Sequence, residues 1–97
     1  MKESIVVKNI LKSLGTKYPG FYFKTHGGPF QMSGLPDILG VHRGRFIGIE
    51  VKAPGEEGDY TPKQQLVVKK INAAGGIAFM ATSAEQVLEV LERRLSE

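Results

Sequence analysis

The stretch Pro36-Asp37-Ile38-Leu39-Gly40-Val41-His42-Arg43-Gly44-Arg45-Phe46-Ile47-Gly48-Ile49-Glu50-Val51-Lys52 decides the fold. Arg43-Gly44 at its centre reads as a two-residue hairpin turn, because glycine accepts the positive φ that such turns demand. The strands Asp37–His42 and Arg45–Ala53 then run antiparallel. A two-residue turn pairs His42 with Arg45, Val41 with Phe46 and, at the open end, Asp37 with Glu50. Cross-strand partners have Cβ atoms roughly 4.5–5.5 Å apart and share a face. Two carboxylates therefore stand side by side. Period-two alternation sets Lys52 on the face of Glu50 and sends Ile47, Ile49 and Val51 to the other. A three-residue turn or a bulge shifts the register by one and dissolves the pairing.

Outward from the hairpin, residues 2–14 read as a helix, with Val7, Ile10, Leu11 and Leu14 at helical spacing and Gly15 as its stop. Phe21–His26 is a short strand after the Pro19-Gly20 turn, and Gly27–Pro36 is a Gly/Pro-rich loop. Ala53–Tyr60 is a second loop. Thr61-Pro62-Lys63-Gln64 opens a helix in the expected grammar, with Thr61 as N-cap, Pro in the first turn and Gln three residues after the cap. Val67, Val68, Ile71 and Ala74 form its inward stripe, and Gly75-Gly76 ends it. Ile77–Ala81 is a buried strand. Ser83 caps a last helix, with Gln86 completing a second capping box and Val87, Leu88, Leu91 and Leu95 as its stripe. The order is αβββαβα. Joining the third and fourth strands through a helix implies a parallel, right-handed crossover. The expected fold is thus α/β, a mixed four-stranded sheet flanked by helices.

The 97 residues are expected to form a single domain, 1–97, with 41% hydrophobic and 24% charged residues. That balance argues against wholesale disorder. No apolar run approaches a membrane span, no signal-peptide pattern opens the sequence, and a cytoplasmic location is expected. Cysteine is absent, which excludes disulfides, thiolate metal sites and a Cys nucleophile. Residues 1–52 carry eight Lys/Arg against three acids, whereas residues 53–97 carry five against seven. The N-terminal half is therefore the one suited to a polyanion. Its only acids are Glu3, Asp37 and Glu50.

Like charges set opposite one another are destabilising unless a cation lies between them. Mg²⁺ or Mn²⁺ suits the position, since both prefer carboxylate, carbonyl and water oxygens. With the Lys52 ammonium beside it, the group has what metal-assisted phosphodiester hydrolysis requires. Glu-x-Lys at a strand edge is otherwise a solvated ion pair worth under ~1 kcal/mol. Glu3 falls on the apolar stripe of the first helix, at its N-terminal end. A first-turn carboxylate there complements the helix dipole, and its inward placement also points to the site.

Ser33-Gly34-Leu35-Pro36-Asp37, then Gly48-Ile49-Glu50-Val51-Lys52, then Thr61-Pro62-Lys63-Gln64 resemble the VRR-NUC (virus-type replication-repair nuclease) family of the PD-(D/E)xK superfamily. The resemblance runs from Glu3 to about Gly76 and looks like the stand-alone form of phages and bacteria. It implies a restriction-endonuclease-like core, and a bacterial host cytoplasm for a phage protein. It implies metal ligands at Asp37, Glu50 and the Val51 carbonyl, with Glu3 through a water. It also implies a catalytic lysine at Lys52 and a motif glutamine at Gln64. The expected activity is a structure-selective DNA endonuclease, a homodimeric Holliday-junction resolvase leaving 5′-phosphate and 3′-hydroxyl ends. The alternatives are a flap, fork or single-strand nuclease in replication repair, or a non-catalytic nucleic-acid-binding module.

Gln64 has two readings, a partner in the capping box or a contact to the site, and the resemblance favours the second. Glu56, Glu57 and Asp59 read as solvated charge. Lys17, Lys24, Arg43 and Arg45 are the candidate phosphate contacts, with His26 beside them at the start of the glycine loop. His42 reads as a surface or pairing residue. Phe30 and Met32 are candidates for wedging against unstacked bases or for packing across a dimer.

Overall fold

The computed structural model describes residues 1–29 and 31–96, so the role suggested for Phe30 lies outside the described residues. The elements are α1 (Glu3–Lys17), β1 (Phe21–Lys24), β2 (Ile38–His42), β3 (Arg45–Val51), a 3-10 turn (Glu57–Asp59), α2 (Pro62–Ala73), β4 (Ile77–Ala81) and α3 (Ala84–Leu95). They follow the order expected from sequence. The sheet runs β1-β2-β3-β4, antiparallel except for the parallel β3–β4 pair.

Arg43 (φ 48°) and Gly44 (φ 81°) both lie in the left-handed region, as a type I′ hairpin turn requires. This turn fixes the pairing from His42↔Arg45 through Val41↔Phe46 to Ile38↔Ile49. α1 runs through Gly15, contrary to the expected stop, and ends at Lys17. A glycine inside a helix costs only about 1 kcal/mol, whereas Pro19 biases the residue before it out of the helical region.

One face of the sheet is closed. Ile38, Ile47, Ile49, Val51 and Ile77 pack against Val6, Val7, Ile10 and Leu14 of α1 and Val87 and Leu91 of α3. The opposite face is covered unequally. α2 packs on β3 and β4, and none of its residues is fully buried, so the stripe of Val67, Val68, Ile71 and Ala74 is only partly inward. Its capping box is present, with the Gln64 amide donating to Thr61 Oγ1 (3.2 Å) and the Thr61 amide donating to Gln64 Oε1 (3.0 Å). The second expected box differs. The Gln86 amide donates to Ser83 Oγ, but Gln86 Oε1 accepts from the Thr82 amide, one residue before the cap. No helix among the described residues is long and apolar enough to cross a membrane.

Candidate active site at the open end of the β2–β3 hairpin

Asp37 closes the loop that enters β2. Its carbonyl accepts from the Thr25 amide (2.8 Å), and Thr25 Oγ1 donates to the Pro36 carbonyl (2.8 Å), which pins the backbone on both sides. One rung beyond Ile38↔Ile49, the same register sets Asp37 opposite Glu50. The carboxylate of Asp37 then takes a backbone role: its Oδ2 accepts from the Val51 amide at 2.8 Å. In an extended strand the amide and carbonyl of one residue point to the same side, so the Val51 carbonyl also faces Asp37.

Glu50 is 2% exposed and Lys52 8%, and both lie on the sheet face opposite the α1–α3 core. Lys52 Nζ stands 3.3 Å from Glu50 Oε2. Glu50 Oε1 is buried and has no hydrogen-bond partner among the described residues. Burial first, and the negative charge of Asp37 second, push the Glu50 carboxyl up to about 8, against the opposing pull of Lys52. Such a carboxyl lacks a positive neighbour sufficient for its charge.

Glu3, in the first turn of α1, belongs to the same electrostatic group. Its carboxyl is raised by partial burial and then by Asp37, while Lys52 and Lys24 lower it. The hairpin and the helix thus bring Glu3, Asp37, Glu50 and Lys52 to one end of the sheet. Gln64 is a cap residue through its backbone amide and its Oε1, and its side-chain Nε2 makes no hydrogen bond among the described residues. Tyr60 is a member the sequence reading missed. Its phenol is raised by burial and by the charge of Glu50, so it lies within electrostatic reach of the carboxylates. Nothing in the spacing around Tyr60 announces this, because it stands in a loop beside three acids that are exposed.

The candidate phosphate contacts do not all gather here. Lys24 does, lining with Thr25, Gly27, Gly28 and Asp37 a polar cavity of about 330 Å³. His26 is exposed at the edge of that loop. Lys17 ends α1, about 21 Å along the helix from Glu3 at 1.5 Å per residue. Arg43 and Arg45 lie at the turn, about 17–20 Å along the strands from the carboxylates. Arg45 Nε donates to the Gly75 carbonyl (2.9 Å), which tethers the turn of the hairpin to the end of α2. His42 is structural, its Nδ1 donating to the Pro19 carbonyl (2.8 Å) and its ring edge-on to Tyr18. Charge density along the sequence grouped residues that the strands hold apart.

Among the described residues, no group of three or more His, Cys, Asp or Glu side chains is gathered tightly enough to hold a metal ion by itself. The donor set that does converge is two carboxylates and a backbone carbonyl. An orphaned, buried carboxylate oxygen beside a second carboxylate is a place where a hard cation fits, since it satisfies the lone pairs and removes the repulsion.

No family model matches the chain, and no curated protein matches it.

Proposed function

We propose that the chain is a metal-dependent, structure-selective DNA endonuclease that hydrolyses phosphodiester bonds in branched DNA. The observation that carries this reading is the opposition of Asp37 and Glu50 across a hairpin, with Lys52 ion-paired to Glu50 and Glu50 Oε1 buried without a hydrogen-bond partner among the described residues. Asp37, Glu50 and the Val51 carbonyl would hold Mg²⁺ or Mn²⁺, with Glu3 contributing through a water. The chemistry such an ion supplies is a water acidified towards neutral pH and relief of charge on the phosphate oxygens.

The protein's own groups do the rest. The Val51 amide fixes the direction of the Asp37 carboxylate, so that less reorganisation is left for the reaction. The Lys52 ammonium, held by Glu50, orients an attacking water and stabilises the negative charge that grows on the phosphate. The side-chain Nε2 of Gln64, left out of its cap, is the atom available to a substrate oxygen.

The molecule has one small sheet and no separate recognition module among its described residues, so shape and phosphates must supply selectivity. The resemblance to stand-alone VRR-NUC domains favours a homodimer that cuts four-way junctions. A two-fold pair of sites matches the two related scissile strands of such a junction. The test is cleavage of labelled four-way, flap, fork and linear DNA with Mg²⁺ or Mn²⁺, with size measured by light scattering. Metal-dependent nicking of the four-way substrate by a dimer is the expected result. Cutting of flaps or forks alone selects the replication-repair alternative, and binding without cutting on every substrate defeats the enzyme.

A further inference from the structure

The sheet face opposite the α1–α3 core is only half covered by helix, since α2 packs over β3 and β4. On the other half, alternation presents Phe21 and Phe23 of β1 and Val41 of β2, with Phe46 of β3 at the border. Phe21 is 66% exposed, Phe23 46% and Phe46 43%, and the rings of Phe21 and Phe23 form a ridge with centroids 5.9 Å apart. Beside the ridge a groove of about 680 Å³ runs between the sheet and α2, with Met32 and Leu66 in its wall, both exposed.

The charges of this face exclude a polyanion. Its rows Phe21–Val41–Phe46 and Phe23–Leu39–Gly48 hold no charged side chain. The same alternation sends Lys24 and Arg45 to the α1–α3 side, and the next row along the face holds two acids, Asp37 and Glu50. The surface therefore suits an apolar partner. Its area is of the right size: Phe21, Phe23, Phe46, Val41, Met32 and Leu66 leave roughly 600 Å² uncovered. A standard homodimer interface buries about 800 Å² per partner, about two-thirds of it apolar.

Shape selects a second copy. The open half is two strands, or about 10 Å, wide, and packed sheets stand about 10 Å apart, which is also about the thickness of a helix. The β1–β2 half of a partner thus fits into the layer that α2 leaves unfilled. Ridge and groove lie side by side on one face, so a two-fold axis between them seats each ridge in the other groove and closes the assembly. The lysines of the groove wall, Lys63 and Lys70, then meet an edge strand. The Thr25 amide points to β2, so the Tyr22 and Lys24 carbonyls point outward from β1, where they can accept from an ammonium.

We propose that the bare β1–β2 face is the interface between two copies of this chain, with the Phe21–Phe23 ridge of each seated between the sheet and α2 of the other. This deepens the homodimer of the nuclease reading by naming the surface that makes it, and rests on that reading for the use of the pair. A two-fold axis that exchanges ridge and groove runs roughly along the strands. It leaves both carboxylate groups at the same end of the pair, where one branched substrate can reach them.

The experiment follows mass by light scattering at concentrations up to about 100 µM, the weak end for an interface of this size. The wild-type protein should be a dimer. Phe21→Glu and Phe46→Glu should each raise the dissociation constant at least about thirtyfold, whereas Ile5→Glu, equally exposed on α1, should leave it unchanged. All three positions are exposed, so the variants should fold, which circular dichroism checks. The protein has no cysteine, so a single Val41→Cys reports proximity: a bismaleimide about 10 Å long should link it to its twin, and should not link Ile5→Cys.

A wild-type monomer overturns the proposal. If that monomer binds a single-stranded oligothymidylate and Phe21→Glu does not, the face belongs to nucleic acid. A dimer that survives both glutamates and leaves Val41→Cys unlinked also overturns it, since the interface then lies elsewhere and the nuclease reading is untouched. A dimer made through this face that cuts no DNA with Mn²⁺ would sink the nuclease reading and leave the interface standing.

Discussion

The Val51 amide donates to Asp37 Oδ2 across 2.8 Å, so a side chain closes the last rung of the β2–β3 hairpin. The backbone acceptor that would otherwise follow in the ladder, the Pro36 carbonyl, is engaged by Thr25 Oγ1. Asp37 is thereby held as part of the sheet while its remaining oxygen lone pairs stay available. That division of labour gives the site its testable properties.

Asp37→Asn keeps an acceptor for the Val51 amide and removes one of two opposed charges. Mn²⁺ affinity measured by calorimetry should fall at least about tenfold. Stability in EDTA at neutral pH should rise, because the repulsion on Glu50 is relieved. A variant with unchanged Mn²⁺ affinity would remove Asp37 from the metal set.

Glu50 makes stability depend on pH in a defined direction. Its carboxyl is raised from the ordinary 4.5 to about 8 in the folded chain, so the folded state binds the proton more tightly than the unfolded one. The stabilisation from protonation is complete below about 4.5 and is lost as pH rises towards and through 8. In EDTA the urea midpoint should therefore be higher at pH 5 than at pH 9. Glu50→Gln should flatten the difference, and Mg²⁺ should offset the loss at pH 9. A wild-type profile that matches Glu50→Gln would contradict the assignment.

Lys52→Ala should reduce metal-dependent cleavage by at least about a hundredfold while junction binding changes only a few-fold. Cutting at the wild-type rate would exclude the ammonium from the reaction.

Gln64→Glu retains the acceptor that holds the Thr61 amide but replaces the amide nitrogen with an anionic oxygen. The thermal midpoint should stay within a few degrees, a shift of less than about 1 kcal/mol for a small domain. Cleavage should fall about tenfold or more through loss of that donor. A variant that cuts like wild type would leave Gln64 as a cap alone.

The hairpin was legible because a two-residue turn and a period of two leave no freedom once Arg43-Gly44 is recognised. The register then follows to Ile38↔Ile49 and implies the meeting of Asp37 and Glu50. Glu3 was legible for a related reason, as helical spacing fixes which side of α1 it occupies. Lys17, Arg43 and Arg45 were grouped with the site by a count of charges along the chain, although the same hairpin register already sets Arg43 and Arg45 at the turn, the end away from the acids. Tyr60 escaped because its loop has no period. The bare aromatic half of the sheet escaped as well. Alternation says that Phe21 and Phe23 share a face, but only the placement of α2 over β3 and β4 shows that no described helix covers them.

The I′ turn lies at the far end of the ribbon from the acids, and this has a kinetic meaning. Hairpins close in microseconds from contacts that are near in sequence, before the distant crossover to β4 can pair. Zipping that starts at Arg43-Gly44 joins the apolar rungs first and reaches Asp37 and Glu50 last. Their mutual repulsion therefore weighs on the final step of closure and leaves nucleation alone, so substitutions at either acid should alter the rate of unfolding more than that of folding.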